Sequence, residues 1–99
     1  MEIVAQAAVR LASAGFPTRI YSDYRALTWS KLLLNMLGNG VPAITNLSPQ
    51  QVFSDLALCR LEIAAFREAL AVLRVQGIRP VDLPGYPVRL LVWVMELLP

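Results

Sequence analysis

The chain has 99 residues, with nine basic against seven acidic side chains, one cysteine and no histidine. That length suits one domain, since domains run from about 50 to 200 residues, and the singly spaced basic residues argue against a nucleic-acid footprint. Only 16% of residues are charged and 57% are hydrophobic, which excludes disorder and predicts more apolar surface than a free monomer tolerates.

The first predicted element is a helix over residues 2–14, where Ile3, Ala7, Leu11 and Ala14 recur every three or four positions and Gly15-Phe16-Pro17 supplies a stop. A short extended stretch, Thr18 to Tyr21, leads to Ser22 or Asp23 as an N-cap for a second helix running from Tyr24 to Leu37. Asn39-Gly40-Val41-Pro42 ends it and predicts a loop to Leu47. Ser48-Pro49-Gln50-Gln51 places a capping residue, a proline at the first helical position and a glutamine at the third, so a short helix starts there. Asp55 caps a longer helix from about Leu56 to Gln76, with Ile63, Phe66, Leu70 and Leu73 as its apolar stripe and Gly77 at its end. Pro80, Pro84 and Pro87 confine residues 78–87 to turns, and Val88 to Leu98 resumes as an apolar helix stopped by Pro99. The expected architecture is one all-α domain over residues 1–99, a bundle of four to five helices.

Cys59 has neither a second cysteine for a disulfide nor a histidine for nucleophilic or zinc chemistry, which points to a reducing, cytoplasmic setting. No secretory signal is expected, because the chain opens Met1-Glu2 and Gln6 and Arg10 interrupt its first apolar stretch. The final apolar segment is too short to span a bilayer.

The second helix carries the chemistry-bearing pattern. Lys31, Asn35 and Asn39 stand at successive spacings of four, so on a continuous helix they form one polar stripe, each step rotating about 40°. The neighbouring positions are nearly all apolar, so these polar groups need partners: other helices, solvent, or a ligand facing an ammonium and two amides. Lys31 is also the only lysine beside eight arginines. An ammonium can release a proton where a guanidinium cannot.

The run Trp29-Ser30-Lys31-Leu32-Leu33-Leu34-Asn35-Met36-Leu37-Gly38-Asn39, together with Gly15-Phe16-Pro17 and a Glu68 nine residues before Gly77, resembles the C-terminal domain of ketopantoate reductase (2-dehydropantoate 2-reductase). The resemblance implies a helical domain like that of 6-phosphogluconate dehydrogenase, which completes the cleft of an NADPH-binding Rossmann domain and mediates dimers. It implies reduction of a 2-oxo acid to a 2-hydroxy acid in pantothenate and coenzyme A synthesis, with Lys31 as the general acid and Asn35 and Asn39 orienting substrate. A further family asparagine falls on Pro49 here, with Asn46 nearby, and the family's later serine and glutamate have no counterpart. No Gly-x-Gly-x-x-Gly fingerprint for the dinucleotide is seen, so the chain alone is expected to be an inactive fragment without cofactor.

Other residues read as structural. Glu68 is expected on a solvated face, paired with Arg67 or Arg74. Tyr21-Ser22-Asp23-Tyr24 reads as capping and packing, Leu83-Pro84-Gly85-Tyr86-Pro87 as a turn whose tyrosine could rim a cleft, and Trp29 and Trp93 as core or interface anchors. Two alternatives stand beside the reductase reading: a relative acting on another 2-oxo acid or an imine, and a stand-alone helical homo-oligomeric interaction module.

Overall fold

A computed structural model describes residues 2–98. It contains helices α1 (Glu2–Ser13), α2 (Tyr24–Met36), α3 (Gly40–Thr45), α4 (Pro49–Ser54), α5 (Leu56–Val75) and α6 (Val88–Leu97). The all-α expectation is met: 69% of the structure is helical and no strand forms among the described residues. Four helices have ten residues or more, and α3 and α4 are six-residue segments between α2 and α5.

Local chemistry explains most of the boundaries. Asp23 caps α2, its Oδ1 accepting from the N–H groups of Arg25 and Ala26 at 3.0 and 3.3 Å. Ser48 and Gln51 form a reciprocal capping box with Pro49 inside it. Asp55 opens α5 by accepting from the Leu58 N–H at 3.1 Å. The other end of α5 closes in a Schellman motif: Gly77 sits at φ +71°, its N–H bonds the Arg74 carbonyl, and the Ile78 N–H reaches back to Leu73 at 2.9 Å.

Two departures from the sequence reading occur between α2 and α4. Helix α2 stops at Met36, because its cap Leu37 takes an extended conformation. The predicted loop after Asn39 instead contains α3, with Pro42 inside its first turn, where a missing N–H costs no helical bond. Asn46 closes α3 in the left-handed region at φ 58°, a conformation that asparagine tolerates better than most side chains.

The core lies where α2, α5 and α6 meet. Leu33, Phe66, Leu70, Leu73, Ile78 and Met95 are buried together, with Trp29, Ile63 and Leu91 packed around them. Arg67 fastens α6 to α5 by donating from Nε to the Met95 carbonyl at 2.8 Å and from its guanidinium to the Leu98 carbonyl, which satisfies carbonyls that a helix end leaves orphaned. The expected pairing of Glu68 with Arg67 or Arg74 does not form. Arg67 is occupied with these carbonyls and Arg74 pairs with Glu96, while Glu68 is exposed.

Helix α1 buries none of its residues, and Ile3 is 83% exposed. The radius of gyration is 16.3 Å, against about 13 Å for a compact chain of this length. No helix among the described residues is long and apolar enough to cross a membrane.

Phe66 is fully buried at the centre of the cluster. Phe66→Ala is expected to lower the unfolding free energy by about 3–5 kcal/mol, read from urea denaturation followed by circular dichroism. A loss below about 1 kcal/mol would show that α5 is not the centre of the core.

Candidate functional site

The periodicity of α2 divides its side chains between core and groove. Ala26, Ser30 and Leu33 are buried, Leu33 in the cluster with Phe66 and Ile78 and Ser30 bonded by the Val81 N–H. Moving one residue along a helix rotates the direction by about 100°, so Leu27, Lys31 and Leu34 face a neighbouring sector. That sector lines a groove of about 700 Å³, shared with Asn35 and Leu37 and closed on the other side by Leu83, Pro84 and Tyr86.

The opposite wall is a tight turn. Leu83 and Tyr86 exchange backbone hydrogen bonds at 3.0 and 2.8 Å. Pro84 and Gly85 occupy the centre, and Gly85 has φ +77°, the type II signature. Three bonds hold the segment in place: the Val81 N–H donates to the buried Ser30 Oγ at 2.9 Å, the Tyr21 hydroxyl to the Asp82 carbonyl at 2.6 Å, and the Arg89 N–H to Asp82 Oδ1 at 2.9 Å. Tyr86 therefore rims the cleft, as its turn suggested. Beyond it an apolar recess of about 320 Å³ continues along Leu34, Tyr86, Leu90 and Val94.

Lys31 and Asn35 are thus brought together, one helical turn apart on the wall of a single groove, and both are exposed. Neither needs a protein partner, because water reaches them. Among the described residues no carboxylate lies within ion-pair distance of the Lys31 ammonium. Asn39 does not continue the stripe. Helix α2 ends before it, so it lies at the start of α3, and its side-chain amide donates to the Asn35 carbonyl.

Two groups escaped the sequence reading. Glu62 is only 2% exposed; its Oε2 accepts from the Gly38 N–H at 3.5 Å, and Oε1 has no partner among the described residues. Its position was legible in principle, since Glu62, Phe66, Leu70 and Leu73 share the helical spacing that was assigned to Ile63 instead. The second group is the trio Arg19, Arg79 and Arg89, scattered over seventy residues of sequence but lining one recess.

A family model described as the ketopantoate reductase PanE/ApbA C-terminal domain matches residues 23–92. The chain belongs to this family. The matched segment opens at Asp23, the cap of α2, and reaches Val92 within α6, so it contains both walls of the groove and leaves α1 outside. Comparisons with curated proteins and with solved structures return no match.

Proposed function

We propose that this domain forms the substrate-side wall of a ketopantoate-reductase-like enzyme that reduces a 2-oxo acid to a 2-hydroxy acid, with Lys31 as the proton donor. The observation that carries the reading is the placement of the chain's single lysine ammonium beside the Asn35 amide in one groove, inside the family-matched segment. A carbonyl receiving hydride becomes an alkoxide, and an ammonium within hydrogen-bond reach both stabilises that charge and supplies the proton. The Asn35 amide offers a donor and an acceptor for orienting the oxo acid. Asn39 closes the end of α2 and would serve substrate on releasing the Asn35 carbonyl. The apolar recess continuing past Tyr86 suits a branched aliphatic chain such as that of ketopantoate.

The family is generally NADPH-dependent, but the described residues do not fit that cofactor. A dinucleotide needs a glycine-rich turn between a strand and a long helix. Gly38-Asn39-Gly40 follows a helix and leads into only six residues of α3. On this reading NADPH is held by another domain, and the isolated chain is inactive. In a polypeptide joining this domain to a dinucleotide-binding domain, Lys31→Ala is expected to lower kcat about 10²- to 10⁴-fold, with little recovery in Lys31→Arg, by steady-state kinetics. Near-wild-type turnover in Lys31→Ala would remove the lysine from the mechanism.

Homo-oligomerisation, which the second reading (a stand-alone interaction module without catalysis) shares with the first, is favoured by the surface. The accessible area is 7195 Å², against about 5,600 Å² from area scaling for this mass. Trp93 and Leu97 on α6 are 59% and 64% exposed. We propose that the domain forms a homodimer with α6 among its contacts, in the reducing cytoplasmic setting that the lone Cys59 suits. Sedimentation at micromolar concentration is expected to give a species of twice 10.9 kDa, shifted toward monomer in Trp93→Glu. A monomeric wild-type chain would contradict it.

A further inference from the structure

Folding concentrates positive charge in a recess that shares no lining residue with the groove. Arg19, Arg79 and Arg89 line a recess of about 400 Å³ with Tyr21 and Asp82. Asp82 is the one carboxylate of this set, so the recess carries a formal excess of two positive charges, as large as the net +2 of the whole chain. That carboxylate is already engaged: Oδ1 accepts the Arg89 N–H at 2.9 Å and Oδ2 lies 3.4 Å from Arg89 Nε. The Arg19 guanidinium stands 6.0 Å from the centre of the Tyr21 ring, at the outer limit of a cation–π attraction. Among the described residues neither Arg19 nor Arg79 has an ion-pair partner.

We propose that this recess binds a phosphoryl group, either free phosphate or the phosphate of a monoester. Guanidinium groups present paired N–H donors matched to phosphate oxygens, and arginines converging from separate segments surround a compact dianion better than a monocarboxylate. The floor is fixed before any ligand arrives. The Tyr21 hydroxyl holds the Asp82 carbonyl at 2.6 Å, and Pro80 precedes it in the chain. Bonding to the Arg89 N–H, helped by the charges of Arg89 and Arg19, outweighs the opposing desolvation and keeps the Asp82 carboxyl below its ordinary value. It therefore remains an anchor for Arg89 at neutral pH rather than a proton source. The recess of about 400 Å³ is large enough for a phosphoryl group, and all three arginines are exposed and open to it. The assignment is independent of the reductase reading, because the recess and the Lys31 groove share no lining residue.

Isothermal titration of the 99-residue protein with inorganic phosphate and with phenyl phosphate, at constant ionic strength, tests it. Saturable binding of one ligand per chain is expected. Arg79→Ala and Arg19→Ala are each expected to weaken it about ten-fold or more, as loss of a charge-assisted contact implies. Arg60→Ala, which removes an exposed guanidinium on α5, should leave the affinity unchanged. Tighter binding of phenyl phosphate would identify the monoester as the ligand, and equal binding would identify free phosphate. Three results would each overturn the proposal: no saturable binding of either phosphate, acetate binding as tightly as phosphate, or Arg60→Ala weakening binding as much as Arg79→Ala.

Discussion

The hydrogen bond from the Val81 N–H to the fully buried Ser30 Oγ sets the distance between the two walls of the groove. Ser30 lies on the core face of α2, between Ala26 and Leu33, so its hydroxyl is withdrawn from water and must be satisfied within the protein. Satisfying it fixes the 78–88 segment against α2. The turn bearing Leu83, Pro84 and Tyr86 then stands opposite Lys31 and Asn35. Packing on the other faces of the same helices holds this arrangement, through Leu33, Phe66 and Met95. Core and groove are therefore two sectors of one helix, and a change that rotates α2 would disturb both.

Most of the fold was legible because its signals are local. Asp23, Ser48, Asp55 and Gly77 act within four residues of themselves, and each marks a boundary as its chemistry requires. The α2–α3 junction was not legible. The apolar run continues through Leu37, and only its extended backbone ends the helix before Gly38. That single change takes Asn39 off the stripe that the spacing of four had drawn. Likewise, Glu62 hid in an apolar stripe because the neighbouring register, through Ile63, reads equally well by composition alone.

The site divides along the same line. Lys31 and Asn35 were legible because four residues make one helical turn, and that relation survives whatever the helix packs against. The arginine recess was invisible because Arg19, Arg79 and Arg89 meet only through tertiary structure. Charges that stand singly in sequence argued against a basic patch, yet one forms at the scale of a single phosphate. The apolar excess followed the opposite course. Composition predicted it, and it emerges as an uncovered α1 and an exposed face of α6. The family match begins only at Asp23, so α1 is an element that the family relationship does not explain.

Because Lys31 is the only lysine, reductive methylation with ¹³C-formaldehyde places one side-chain label on the protein, distinct from that on the terminal amine. The account centres on this ammonium facing a 2-oxo acid, so the ¹³C signal of dimethylated Lys31 should move saturably on titration with ketopantoate. Asn35→Ala should reduce that response, and the terminal-amine signal should stay in place. A Lys31 signal that does not move in the folded protein, or that moves equally with acetate, would contradict the placement of substrate in this groove.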